Sequence, residues 1–312
     1  MKILVTGAAG FIGSHIVDKY IGLSHKVVVI DDLSTGFRKN LNPQAKFYKV
    51  DIRNSKALEK IFKREKPQII NHHAAVSEVI KSLKDPSLTY EVNILGTVNL
   101  LLAGAKVGVK KFIFASSAGT VYGNPKKLPA KEEFPLNPLS PYAISKIIGE
   151  EFIRFYAKIY GFNHLILRYG NVFGPRQNPK AEAGVIAIFT ELMKKNLRPK
   201  IFGDGTKTRD YVYIDDIVKA NIIGLKRGKN EVLNISNGKE ISDQKVFDTL
   251  AQALNFKKPP IYAPFRPGEV HRIYSDCSRA KKILGWKPKI NFREGIRKHL
   301  KYFIRVDPRR RL

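Results

Sequence analysis

The stretch Lys2-Ile3-Leu4-Val5-Thr6-Gly7-Ala8-Ala9-Gly10-Phe11-Ile12-Gly13 decides how the rest of the chain is read. Residues 3–5 are apolar without alternation, as in a strand covered on both faces. Gly7 ends the run, and Gly7, Gly10 and Gly13 recur at every third position into a segment with helical spacing. Glycine allows the sharp turn and the close approach of backbone to a pyrophosphate, and the positive end of the helix then faces the phosphates. A second apolar run, 26–30, leads to Asp31, 18 residues beyond Gly13, where a carboxylate can accept hydrogen bonds from an adenosine ribose. Asp32 follows, and two carboxylates there repel a 2′-phosphate. The expected ligand is NAD rather than NADP.

Working outward, short β-branched runs at 2–6, 26–30, 47–50, 68–71, 112–116 and 164–168 alternate with helical patterns, notably 87–106 and 141–160. That alternation predicts an α/β fold with a doubly wound parallel Rossmann sheet. After Arg168 the pattern shortens, and Gly174-Pro175, Asn178-Pro179, Gly203-Asp204-Gly205 and Pro259-Pro260 punctuate it. The expected division is an NAD-binding domain over 1–170 and a smaller mixed C-terminal substrate lobe over 171–312, with part of 209–235 returning to the first domain. There is no internal repeat and no low-complexity linker.

Composition narrows the function classes. No apolar run reaches the roughly 18 residues of a membrane span, and the amino terminus does not read as a signal peptide. Cys277 is the only cysteine, which excludes an intrachain disulfide and a four-cysteine zinc site and fits a cytoplasmic location. The chain carries 56 Lys and Arg against 27 Asp and Glu, a net charge of +29. Such a surface attracts anions, but the basic residues are spread along the chain, with the densest cluster at Arg309, Arg310 and Arg311. No nucleic-acid reading module accompanies them, so a nucleic-acid partner is not expected. The adjacent His72 and His73 on a strand point to opposite faces and cannot easily share one ion, so no metal site is expected.

Tyr142-Ala143-Ile144-Ser145-Lys146 falls within the 141–160 helix, where residues four apart share a face. A free tyrosine has a pKa near about 10, too high for a general base at neutral pH, and a neighbouring ammonium lowers it. The segment 112–123 runs a strand into Ser116-Ser117-Ala118-Gly119-Thr120, placing a hydroxyl at the carboxyl edge of the sheet, where open α/β folds bind ligands. Ser117 is the expected catalytic hydroxyl and Ser116 the alternate. The Gly-x-Ser-x-Gly elbow of a serine hydrolase is missing from the sequence.

With the glycine turn, the paired serines and the Tyr-Lys pair in this order, the chain resembles the extended short-chain dehydrogenase/reductase family from residue 1 to about 290. Three later segments are similar to its sugar-nucleotide epimerase branch: Arg168-Tyr169-Gly170-Asn171-Val172-Phe173-Gly174-Pro175, Gly203-Asp204-Gly205-Thr206-Lys207-Thr208-Arg209-Asp210-Tyr211 and Arg266-Pro267-Gly268-Glu269. The branch whose pattern it matches best is the UDP-glucose 4-epimerases. The resemblance implies an isomerase with tightly bound NAD, held by Gly7, Gly10, Phe11, Ile12, Gly13, Asp31, Asp32, Leu33, Ser34, Thr35, Gly36, Asp51, Ile52, His73, Ala74, Ala75, Asn93, Tyr142, Lys146 and Tyr169. It implies a UDP-sugar held by Ser117, Gly119, Thr120, Tyr142, Asn171, Gly184, Val185, Arg209, Arg266 and Glu269, and catalysis by Ser117, Tyr142 and Lys146. A homodimer through the 87–106 and 141–160 helices also follows from it.

Dehydratases of the family carry an acidic pair where this chain has Ala118 and Gly119, so dehydration is not expected. Ile273, followed by Tyr274, matches the position that limits space at the sugar 2-substituent, and Val76 and Ser77 depart from the family's usual run. N-acetylhexosamine and uronate 4-epimerases, a uronate decarboxylase and a non-catalytic NAD- or RNA-binding relative are the alternatives.

Overall fold

The computed structural model describes residues 1–179 and 184–305, so the tail arginines Arg309, Arg310 and Arg311 lie outside the described residues. Among the described residues, seven parallel strands make the central sheet: β1 (Lys2–Thr6), β2 (Lys26–Asp31), β3 (Lys46–Lys49), β4 (Ile69–His72), β5 (Lys111–Ser117), β6 (Asn163–Tyr169) and, much later in the chain, β10 (Glu231–Ile235). Their order is β10-β6-β5-β4-β1-β2-β3. The chain winds outward from β1 in one direction as far as β3, then crosses to β4 and winds the other way. The crossover leaves a crevice at the carboxyl ends of β1 and β4, the usual ligand position in a doubly wound sheet.

Both faces of the sheet are covered, which is why its strands read as continuous apolar runs. One face carries α1 (Phe11–Gly22), which packs on α8 (Ile214–Gly224). The other carries α2 (Ser55–Glu65), α5 (Gly96–Lys106) and α6 (Pro141–Tyr160). Leu4, Ile70, Phe112 and Phe114 point into the second layer, while Ile3, Val5, Ile69 and Ile113 point into the first, the period-2 alternation of a two-sided sheet.

The smaller lobe is built on a three-stranded sheet ordered β11-β9-β7, from β7 (Asn171–Phe173), β9 (Thr208–Tyr213) and β11 (Glu240–Ser242). A parallel pair, β8 (Lys200–Phe202) and β12 (Ile261–Ala263), sits beside it. The helices α7 (Val185–Lys194), α9 (Asp243–Leu254) and α11 (Phe292–Arg305) cover these strands, and α10 (Ser278–Leu284) packs back on β10. Thus α8 and β10 interrupt the lobe and lie in the large domain.

One expected helix differs. The 87–106 pattern is three consecutive pieces: α4 (Pro86–Tyr90), a π-helical turn Glu91–Leu95, and α5. Asp85 caps α4 through Leu88 N at 2.9 Å, after a short preceding helix α3 (Val79–Lys84). The widened turn carries the buried Asn93. Its side-chain oxygen accepts from Val76 N at 2.8 Å, and its amide donates to Val76 O at 3.0 Å and to Ser145 Oγ at 2.9 Å. Single π turns of this kind are found mostly at functional sites.

Candidate functional site

The cofactor end of the crevice is a backbone construction. Gly7 has φ +66°, and a Cβ there would lie 2.6 Å from Ala74 N. A Cβ on Gly13 would lie 2.9 Å from Ala8 Cα and closer still to the Gly7 carbonyl oxygen. The turn therefore closes against the end of β4, and α1 sits on β1 at a distance only glycine allows. Gly10 caps α1 without a side-chain hydrogen bond, and the first turn holds no acid, so the amides around Phe11, Ile12 and Gly13 remain available to an anion.

Asp31 is buried, and its two oxygens accept from Ala9 N at 2.9 Å and Leu33 N at 2.8 Å. The carboxylate thus braces the glycine turn, with one lone pair on each oxygen left for a ribose. Burial raises its pKa and the two backbone bonds oppose the rise. Asp32 turns back on Ser34, and the loop holding Leu33, Ser34, Thr35 and Gly36 folds over Ala9, where a Cβ on Gly36 would meet the Ala9 side chain at 2.7 Å. Asp51 is paired with Arg53 at 2.7 Å, and Ile52 is buried against Gly96. Ala75 and Val76 follow the end of β4, held by Asn93, whose polar groups are spent on the protein.

The two histidines diverge as strand geometry requires. His72 is held by Thr6 Oγ1 at 2.7 Å and Thr97 Oγ1 at 2.9 Å. His73 stacks on Tyr169 with centroids 6.1 Å apart, and neither of its ring nitrogens has a hydrogen-bond partner. Burial, helped by the charge on Lys146, pushes His73 down to about 3, so the ring is neutral. Tyr169 is itself buried, its hydroxyl accepting from Asn221 at 2.8 Å. No cluster of potential metal ligands occurs among the described residues.

Beyond the histidines come two hydroxyls and an ammonium: Ser117, Tyr142 and Lys146. Ser140 accepts from Ala143 N at 3.2 Å and Pro141 follows it, which starts α6 where Tyr142 and Lys146 share its buried side. Burial pushes the Tyr142 phenol up to about 12, and the Ser117 hydroxyl beside it counters the rise. Lys146 donates to Ala115 O at 2.9 Å and lies 5.7 Å from the centre of the Tyr142 ring. Burial pulls its ammonium down to about 8, with Glu150 opposing. The paired serines separate because neighbours on a strand face opposite ways. Ser116 donates to Glu150 Oε1 at 2.5 Å in the second layer, whereas Ser117 faces Tyr142.

The far end is made of charged side chains. Lys207, Arg209 and Tyr211 alternate along the strand and share one face. Arg209 is half-buried and donates to Thr208 O at 2.8 Å. No carboxylate of the described residues pairs with it. Asp210 on the opposite face accepts from Ser236 Oγ, Asn237 N, Gly238 N and Ser275 N; Asp216 accepts from Lys289 N and Ile290 N; Asp215 faces Lys298. A guanidinium with no ion-pair contact of its own suits an anionic ligand. Lys207 sits between Glu269 at 2.8 Å and Asp243 at 3.2 Å, and Arg266 pairs with Glu269 while lying 4.2 Å over the Phe202 ring. Three cations thus face two acids. Buried polar atoms without a partner occur here as well, Arg266 Nε and Tyr211 Oη, and Thr120 Oγ1 on the loop after Ser117 is another.

Asn171 and Gly119 meet where β7 begins: a Cβ on Gly119 would lie 2.9 Å from Asn171 Oδ1. Gly184 and Val185 open α7, with Gly184 against Gln177. Ile273 is buried in a small cluster with Ala118, Val121, Tyr122, Ala130 and Val270. Lys207, Tyr211 and Asp243 were absent from the sequence-based set. The period-2 spacing around Arg209 signals the first two, and nothing local signals Asp243.

The family model described as the NAD dependent epimerase/dehydratase family matches residues 3–236. A UDP-glucose 4-epimerase of Mycolicibacterium smegmatis is 40% identical over 97% of this chain and 98% of its own length. The crystal structure of UDP-glucose 4-epimerase from Thermotoga maritima with UDP-glucose superposes with a TM-score of 0.96 at 44% identity, covering 98% of this chain and 99% of that one. The Thermus thermophilus UDP-glucose 4-epimerase complex with NAD gives 0.94 at 39% identity, covering 98% and 100%.

Proposed function

Because the chain belongs to the NAD dependent epimerase/dehydratase family, we propose that it inverts carbon 4 of a UDP-hexose, interconverting UDP-glucose and UDP-galactose through a 4-keto sugar. The observation that carries the reading is the composition of the loop beside Tyr142: Ser117 is followed by Ala118 and Gly119. A hydroxyl, a phenol and an ammonium converge there without an acid to eliminate water, so oxidation and reduction of an alcohol is the chemistry available.

The glycine turn, the uncapped start of α1 and Asp31 fit NAD, whose nicotinamide supplies a hydride acceptor and then a hydride donor for carbon 4. Burial alone raises the Tyr142 phenol, so the positive charge of bound nicotinamide and the Lys146 ammonium would have to favour the phenolate. In that state Tyr142 accepts the proton of the sugar 4-hydroxyl, with Ser117 relaying it, and returns it when the keto oxygen is reduced. The Lys146 ammonium, 5.7 Å from the centre of the Tyr142 ring, would favour that phenolate and would hold the nicotinamide ribose. Arg209 and Arg266 bind the diphosphate, since guanidinium matches phosphate oxygens bidentately. The neutral His73 and the aromatic Tyr169 keep water from the reacting face. Inversion needs the keto sugar to turn over between the two hydride steps, so the sugar is held less firmly than the diphosphate.

We assign the bare face of α6 to a second copy of the chain. Phe155 and Ile159, 55% and 58% exposed, lie one turn apart there, and Leu95 on the neighbouring π turn is also exposed. Such a patch marks an interaction surface. No helix among the described residues is long and apolar enough to cross a membrane, and the lone thiol of Cys277 suits the cytoplasm.

Purified protein incubated with UDP-galactose, UDP-glucose, their N-acetyl forms and UDP-glucuronate tests the function. Exchange between the galactose and glucose forms without net NADH is expected; conversion of UDP-glucuronate alone moves the enzyme to the uronate branch.

A further inference from the structure

The charged end of the crevice holds an ion pair that is only half made. Arg266 Nη2 donates to Glu269 Oε1, and Glu269 Oε2 accepts instead from Lys207 Nζ at 2.8 Å. Arg266 Nε is buried and has no hydrogen-bond partner among the described residues. Guanidinium and carboxylate characteristically pair through two parallel bonds. The same molecule shows that form elsewhere: Arg168 donates through Nε to Glu150 Oε1 at 2.9 Å and through Nη2 to Glu150 Oε2 at 2.6 Å. At Arg266 the second of these bonds has gone to a lysine.

That lysine is firmly built in. Lys207, the last residue before β9, is 6% exposed. Its Nζ lies 3.2 Å from Asp243 Oδ2 as well, and its carbonyl accepts from Asp243 N at 3.0 Å. Asp243 opens α9 directly after Ser242, whose hydroxyl caps the helix by accepting from Lys245 N at 3.1 Å. Side chain and backbone of Lys207 are therefore both tied to the start of α9. The Arg266 guanidinium is fixed too, its Cζ 4.2 Å from the centre of the Phe202 ring. Lysine is rarely buried, and the desolvation of a buried pair offsets much of its attraction. Stability alone is a poor reason for this arrangement.

What the lysine does is keep two ligand-binding groups apart. With Lys207 on Oε2, Glu269 cannot close the fork, and Arg266 Nε stays open to a phosphate oxygen. Each Glu269 oxygen carries one bond to the protein in place of the fork, and retains accepting capacity for a hydroxyl. Asp243 leaves Lys207 with a counterion when a hydroxyl draws Glu269 away. Two carboxylate oxygens offered side by side match two vicinal hydroxyls, the feature that separates a ribonucleotide from a 2′-deoxyribonucleotide.

We infer that Lys207 is a positioning residue that splits the Arg266–Glu269 pair, and that through this split the site selects a ribonucleoside diphosphate over its 2′-deoxy counterpart. The inference rests on reading this end of the crevice as the nucleotide site for a UDP-sugar.

UDP and 2′-deoxy-UDP carry the same charge, so the ratio of their dissociation constants isolates the ribose contact from the general pull of the cations. Calorimetry on the NAD-loaded parent is expected to favour UDP by about tenfold or more, the worth of a hydrogen bond to a charged group. Lys207→Met with Asp243→Asn removes both charges together and lets Glu269 close on Arg266. The preference is then expected to shrink to within about threefold, while KM for UDP-galactose rises about tenfold and kcat stays within about twofold. If that pair does not fold, Lys207→Met alone carries the same expectation, since an unpaired Asp243 is favourably placed in the first turn of α9. A folded variant that loses affinity for both nucleotides equally keeps the parent ratio, assigns Lys207 to structure and overturns the inference. A parent that binds UDP and 2′-deoxy-UDP equally overturns it as well, and leaves the UDP-hexose reading standing. A parent that binds neither nucleotide overturns that reading and the inference with it.

Discussion

In the proposed reading, the two ends of the crevice would each hold a diphosphate, and they are built of different materials. At the cofactor end, backbone amides, a helix terminus and three glycines would do the holding, and the buried carboxylate of Asp31 braces the turn. At the sugar end, Lys207, Arg209 and Arg266 would do it, with Asp243 and Glu269 as their counterweights. A backbone site cannot be tuned by one side chain, and suits a cofactor that stays. A cluster of long side chains can release and rebind, which suits a substrate that must come and go with each turnover. Glu269 is engaged by both Lys207 and Arg266, so a ribose that claims it must displace part of an ion pair.

Substitutions can break this contrast. The largest effect is expected where the two ends meet: Tyr142→Phe should lower turnover by about a thousandfold, within the range for general acid–base groups, while NAD stays bound. Wild-type-like turnover with the phenylalanine in place would sink the assignment of the base. Next, Gly7→Ala forces a Cβ against Ala74 N at a positive φ. Strain and overpacking together should cost roughly 2–4 kcal/mol, read as a lower melting temperature with loss of copurifying NAD.

Arg209→Met should instead raise KM for the UDP-sugar about tenfold to a hundredfold, the worth of a charge-assisted hydrogen bond or two, and leave NAD content and melting temperature unharmed. Arg209 makes one backbone hydrogen bond and no ion-pair contact among the described residues, so its loss should cost the free protein little; a large drop in melting temperature would mean that Arg209 is structural. A smaller effect concerns pH. Lys146 is charged below its value of about 8 and neutral above it. Turnover should therefore fall as pH rises through that region, by about half at the midpoint, and a flat kcat profile would show that bound NAD has moved the group. Smallest is Ile159→Glu, expected to leave kcat within about twofold and to shift native mass from dimer toward monomer; a parent that runs as a monomer removes the assignment of that face.

Legibility in the sequence follows the same contrast. The strand–glycine–helix start, the run of parallel strands and the Tyr-x-x-x-Lys pair are local patterns, fixed by what a backbone turn or one helical face permits. The pairing of Lys207 with Asp243 and Glu269 joins segments far apart in sequence, and no spacing announces it. The π turn that breaks the expected 87–106 helix has the composition of ordinary helix; only the contacts of Asn93 give a reason for it. Glu150 is an instructive middle case. Its four-residue step from Lys146 is visible, but a glutamate on a helix is ordinarily solvated, and nothing in the Arg168 segment announces that the two pair. The choice between Ser116 and Ser117 likewise needed the facing helix, since a strand gives two opposite directions without saying which one is the site.

The return of β10 to the central sheet, beside β6, decides what can be cut from this molecule. A fragment ending near residue 170 would carry the glycine turn, the serines and the Tyr-Lys pair, yet its β6 would be left as a bare edge, its backbone groups open to any passing strand. The sugar-binding lobe is accordingly no detachable cassette: grafting it onto another nucleotide-binding domain would mean transplanting a sheet strand along with it. Swaps of substrate preference are better sought loop by loop, with the edge of the sheet left intact.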